Sequence, residues 1–102
     1  MIINLEKINI PQRIVEELDI IFSSFNEIEK VVLFGSRSRK DNKENLDIDL
    51  AIYGVKNNKW KLNEMINDIA TLYSFDIVYV SSNSSKALLF QIKKDGCIIY
   101  ER

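Results

Sequence analysis

Val31-Val32-Leu33-Phe34-Gly35-Ser36-Arg37-Ser38-Arg39 and, ten residues beyond the Gly-Ser pair, Asp47-Ile48-Asp49-Leu50-Ala51-Ile52 form the passage around which this chain is organised. An apolar run that stops at Gly-Ser, with Arg and Lys close behind, has the composition of a strand breaking into a turn. The N–H groups and hydroxyl of such a turn can hold a phosphate. The second run places two carboxylates at i and i+2. On a strand that spacing sends both to one face, while Ile48, Leu50 and Ile52 point to the other. Two carboxylates side by side repel by about 1 kcal/mol in water-like surroundings and about 4 kcal/mol at an effective dielectric of 20. A domain with a net stability of about 5–15 kcal/mol would not carry that burden idly. A bound divalent cation relieves it, and oxygen-only ligands select Mg²⁺ or Mn²⁺ over zinc.

The 102 residues predict one domain, 1–102, long enough to bury a core. With 46% hydrophobic and 28% charged residues, three Gly and one Pro, the composition is that of a folded globular chain. A net charge of −1 advertises no nucleic-acid surface, so direct nucleic-acid binding is not expected. There is no histidine, which excludes Ser-His-Asp and Cys-His catalysis and any histidine-bearing zinc site. Cys97 is the sole cysteine; no internal disulfide can form, and a buried, inert thiol in a reducing compartment is expected. No apolar run approaches the ~20 residues of a membrane span, and Asn4, Glu6 and Lys7 interrupt the N-terminal isoleucines, unlike a signal peptide. The expected location is the cytoplasm, with no membrane contact.

Residues 1–10 fit neither period and predict a short extended or helical lead-in. From Pro11, welcome in a first helical turn, Ile14, Val15, Leu18, Ile21, Phe22 and Phe25 recur on one helical face. The run 28–34 predicts a strand buried on both faces. A short helical turn over 37–40 and a polar connection over 41–45 lead to a strand over 47–53, closed by Gly54. Residues 57–73 predict a helix with Trp60, Met65, Ile66, Ile69, Ala70 and Tyr73 on its buried stripe. A third strand over 75–80 alternates Phe75, Ile77 and Tyr79 against Asp76, Val78 and Val80. After a serine-rich linker, a helix over 85–94 ends at Gly96, and residues 97–100 read as a last edge strand. Strands and helices therefore mix in an α/β or α+β order, with the helices stacked on one face of the sheet and the carboxylates on the other.

Asp76 is an unusual residue for a strand flanked by bulky apolar neighbours. If its strand pairs beside 47–53, three acids can converge; otherwise it is an edge charge that blocks aggregation. These residues, in this order, resemble the signature of the DNA polymerase β-type nucleotidyltransferase superfamily: Gly35-Ser36, ten residues, Asp47-x-Asp49, and a later Asp76 on a strand. In size the chain resembles the superfamily's minimal branch, the nucleotidyltransferase (MNT) antitoxins encoded beside helical HEPN-domain ribonuclease toxins. The resemblance covers nearly the whole chain and implies a nucleotidyltransferase-like mixed sheet with helices packed on one face. It departs from the family pattern at Lys40, where a glycine is common, and at Leu46, where a serine often precedes the first aspartate.

The resemblance implies magnesium-dependent nucleotidyl transfer from ATP. Asp47 and Asp49 would ligate two Mg²⁺ ions, and Asp76 would complete the ion that activates the nucleophile and accept its proton. Gly35 would let the backbone approach the triphosphate, and Ser36 would donate to a terminal phosphate. Arg37, Arg39 and Lys40 would neutralise phosphate charge, the alternative being solvated turn residues. The implied acceptor is a tyrosine hydroxyl of the cognate HEPN toxin, whose modification by AMP neutralises it. Two other classes share parts of this picture. A non-catalytic antitoxin acting by occlusion needs no metal, and a small-molecule transferase of the antibiotic-modifying kind needs an acceptor pocket.

Overall fold

A computed structural model describes residues 2–4, 8–35 and 46–102. Its elements run α1 (Gln12–Ser24), β1 (Lys30–Phe34), β2 (Asp47–Tyr53), α2 (Lys59–Asn67), β3 (Ser74–Val80), α3 (Lys86–Asp95) and β4 (Cys97–Glu101). The four strands form one mixed sheet in the order β3-β2-β1-β4. β1 pairs antiparallel with β2 and with β4, whereas β2 and β3 run parallel. Parallel neighbours need a crossover, which α2 provides. Residues 37–45 of the predicted turn and connection lie outside the described residues.

The apolar periodicity of α1 is realised: Ile14, Val15, Leu18, Ile21 and Phe22 are buried, and Pro11 sits at the N-cap. They pack on the sheet face made by Val31 and Leu33 of β1 and Ile48, Leu50 and Ile52 of β2, together with Leu62 and Ile66 of α2. The opposite residues of the same strands, Val32, Phe34 and Ala51, form a second, smaller cluster with Ile92 of α3. Thus α1 and α2 share one face as expected, and α3 lies on the other. It packs against Val32 and Ile98, and the cluster runs on to Ala51 of β2 and Val78 and Val80 of β3, so only the end of β2 and β3 that carries the acids lies outside it.

α2 is shorter than the pattern over 57–73 suggested. It starts after Asn58, whose left-handed φ of 61° marks the turn, and Asp68 closes it. Ile69 remains buried by a turn rather than by another helical turn, and the Arg13 guanidinium donates to the Ala70 carbonyl, holding this bend against α1. Trp60, placed on the buried stripe by spacing alone, is 66% exposed; Leu62 fills the core position instead. α3 begins at Ser85, whose hydroxyl accepts from the Leu88 N–H at 3.1 Å, the N-cap its serine-rich linker suggested. Cys97 is half-buried rather than enclosed.

The lead-in runs beside β4 at Ile2 and Ile3 and then turns at Asn4, whose φ is 59°. Ile2 bridges Tyr100, and the Ile3 N–H donates to the Ile99 carbonyl at 2.7 Å. On the same side Arg102 ties three elements together. Its Nε donates to Ile28 O at 3.0 Å, and Nη2 lies 3.0–3.2 Å from Phe22 O, Phe25 O and the Tyr100 hydroxyl. It thereby adds a second donor to the Phe22 and Phe25 carbonyls at the end of α1, which already accept from Phe25 N–H and Ile28 N–H. Arg102→Ala is expected to destabilise the fold by about 1–2 kcal/mol, measurable as a lowered urea midpoint with unchanged slope.

Candidate active site

Phe34 is the last residue of β1, and its Cα partner across the antiparallel pair is Asp49. The next residue, Gly35, turns the chain with φ +77°, a conformation that L side chains rarely adopt. A Cβ on Gly35 would collide with Asp49 Oδ2. The glycine is thus required twice, by its backbone and by the carboxylate pressed against it.

Asp49 also faces the other way, across the parallel pair, where Asp76 is its register partner. The two carboxyls lie within reach of one hydrogen bond, which forms when one of them is protonated. Asp49 is half-buried, Asp76 is exposed, and Asp47, two residues back on the same face of β2, is exposed. Burial first, then the Asp76 charge, the hydrogen bond with Asp76 and the Asp47 charge push Asp49 up to about 6. Each cause favours the protonated form, as repulsion among neighbouring carboxylates requires.

All three aspartates singled out from sequence therefore lie on one face at the head of β2 and β3. Asp49 and Asp76 touch, and Asp47 is near enough to be felt by Asp49. Ser36, Arg37, Arg39 and Lys40 lie outside the described residues. Among the described residues no three acidic, cysteine or histidine side chains form an assembled cation cage. The donor set nonetheless suits a hard cation. It consists of carboxylate oxygens alone, at a position where negative charge is uncompensated enough to hold a proton to about pH 6.

A profile of the family described as "Polymerase beta, Nucleotidyltransferase" matches residues 16–102. The chain belongs to this nucleotidyltransferase family. Solved structures of similar fold include a toxin-antitoxin complex with AMP-PNP, at TM-score 0.66 and 20% identity over 86% of this chain and 73% of that one. A second is the complex of tri-AMPylated Shewanella oneidensis HEPN toxin with MNT antitoxin, at TM-score 0.62 and 16% identity over 89% and 72% of the two chains. A third, the MntA-HepT toxin-antitoxin, matches at TM-score 0.62 and 16% identity over 90% and 74%. At these identities the likeness establishes the nucleotidyltransferase fold. No curated protein sequence matches the chain closely.

The structure adds what spacing could not supply. Leu46 and Leu72, which enter β2 and β3 at the acid end, are 45% and 86% exposed. No helix among the described residues is long and apolar enough to cross a membrane.

Proposed function

We propose that this chain, acting as one cytoplasmic domain over 1–102, binds ATP and transfers its AMP moiety to a tyrosine hydroxyl of a HEPN toxin, silencing the toxin. The observation that carries this reading is the Asp49–Asp76 carboxyl pair, set across β2 and β3 beside the Gly35 turn. The acceptor is suggested by the company the fold keeps, since an MNT antitoxin of this architecture stands beside a tri-AMPylated HEPN toxin. The nucleotide is suggested by the AMP-PNP complex.

Asp47, Asp49 and Asp76 are the residues that would hold magnesium. Bound there, magnesium supplies charge neutralisation at the α-phosphate and activation of the attacking oxygen. The chain's own contributions follow from position. Gly35 leaves room for a triphosphate to approach the backbone at the end of β1, and Ser36, Arg37 and Arg39 follow it to bind the phosphates. The tyrosine oxygen forms a bond to the α-phosphorus, and the bond from that phosphorus to the bridging oxygen of the diphosphate breaks. The hydroxyl proton leaves to Asp76, the most open of the paired carboxylates. Diphosphate departs on the side opposite the attack.

The test is labelling of the co-expressed HEPN protein by ATP carrying label in the α-phosphate. Labelling should need magnesium, should map to tyrosine by mass spectrometry, and should vanish when Asp47→Asn and Asp49→Asn are combined. Undiminished labelling in the double variant would remove the acids from the chemistry. A tight complex without labelling, and without ATP binding by calorimetry, would make the chain an antitoxin that acts by occlusion.

A further inference from the structure

The outer edge of β3 is a row of hydrogen-bonding groups beside the acid pair. Ser74 N–H donates to the Leu46 carbonyl at 2.9 Å, which sets the phase of the parallel ladder. With the register Asp47↔Ser74, Asp49↔Asp76 and Ala51↔Val78 unbroken, the backbones of Ser74, Asp76, Val78 and Val80 face β2. Phe75, Ile77 and Tyr79 consequently turn their N–H and C=O groups away from the sheet. β3 is the terminal strand on this side, and among the described residues none bonds to those groups.

Such an edge is normally blunted by proline, lysine, a bulge or brevity. β3 has seven residues, no proline or lysine and an unbroken register; its single charge is Asp76, on the catalytic face. At the same end Leu46 and Leu72 leave large apolar side chains uncovered. A free strand edge calls for an extended backbone, and uncovered leucines call for apolar side chains.

We propose that the acceptor segment of the partner protein docks by adding a strand to the free edge of β3, which brings its hydroxyl side chain over Asp76. This rests on the transferase reading above and names how its protein substrate is held. On an added strand, a residue opposite Asp76 has its Cβ about 4.5–5.5 Å away, and a diagonal one about 7–8 Å away, within the lean of a tyrosine. Main-chain hydrogen bonds at Phe75, Ile77 and Tyr79 supply the affinity, and the side chain beside Asp76 supplies the choice of acceptor. Charge narrows that choice. Asp47, Asp49 and Asp76 lie on the face shared with the hydroxyl, so the segment's residues two positions to either side of it, which point to that face, are neutral or basic; a carboxylate there would be a fourth like charge.

The test is residue-resolved amide hydrogen exchange on the full chain, alone and with the co-expressed HEPN protein, alongside ATP labelling of the same mixture. The expected result is that the amides of Phe75, Ile77 and Tyr79 exchange fast in the free chain and slow on the order of tenfold or more in the complex. The amides of Asp76 and Val78, already bonded to β2, should be slow in both and report that the strand is intact. Labelling without slowing at the three outward amides overturns the edge proposal and leaves the transferase reading standing. Slowing without labelling supports the edge as the docking site while the transferase reading fails. Slow exchange at these amides in the free chain that is lost on dilution assigns the edge to a second copy and overturns the proposal, as does protection confined to other elements.

Discussion

Asp49→Asn is expected to yield a protein that is more stable than the parent at neutral pH and nearly inactive. In the folded chain Asp49 is raised from 3.8 to about 6, chiefly by burial and then by the Asp76 charge. The folded state therefore holds this proton more tightly than the unfolded state. Its contribution to stability is full below about pH 4 and is lost as pH rises through about 6. A shift of this size corresponds to roughly 3 kcal/mol, and solvent at a partly open site reduces it to about 1–2 kcal/mol. An asparagine does not ionise and can donate to Asp76, so it escapes the loss. Melting curves without divalent cations should show the variant ahead by about 5–10 °C at pH 7.5, converging with the parent near pH 4. Transfer activity should fall at least about a thousandfold, equivalent to the loss of about 4 kcal/mol of transition-state stabilisation. A variant that melts lower than the parent at pH 7.5 would mean that Asp49 is held by a compensating partner.

Gly35→Ala should be the single-methyl change most damaging to transfer activity. The residue has φ +77°, which costs an L side chain about 1–2 kcal/mol, and the new Cβ lands on Asp49 Oδ2. The Asp49 carboxylate must leave the position it holds beside Gly35, which disturbs its pairing with Asp76. A displacement of about 1 Å at reacting groups is enough for about a hundredfold loss, so activity per folded molecule should drop by at least that. Gly54→Ala is the matched control. Gly54 has φ +100°, and its Cβ would meet the Glu27 carbonyl at 2.5 Å, at the far end of β2 from the acids. It should lose comparable or greater stability, by chemical denaturation, while the folded fraction keeps its specific activity. Equal loss of specific activity in both variants would detach Gly35 from the site.

What the sequence reveals of this site is what depends on neighbours along the chain. The alternation in Asp47-Ile48-Asp49-Leu50 fixes which side chains face inward, and Ile48 and Leu50 are fully buried as it requires. The break after Phe34 is equally local, since only glycine tolerates the turn that follows. The meeting of Asp49 with Asp76 depends instead on strand order and on a register set across the α2 crossover, which resemblance to a family suggested and spacing did not. Trp60 and the early end of α2 escaped because helical spacing does not encode where a helix stops. At the start, Asn58 in the left-handed region sets the boundary; at the end, Asp68 closes the helix and the tertiary contact of Arg13 to Ala70 holds the bend that follows. The placement of α3 opposite α1 and α2 was illegible for a related reason. A ten-residue helix with one buried side chain, Ile92, carries little pattern to say which side it covers.

The exposed Trp60 has a practical consequence for spectroscopy. It is the only indole in the chain, it is already in water, and α2 holds it across the sheet from Asp49. Its emission should start red-shifted and change little on denaturation, and it should stay silent when nucleotide arrives. Binding at the acids therefore has to be followed by heat or by a labelled ligand, because the protein's own fluorophore looks out from the wrong side.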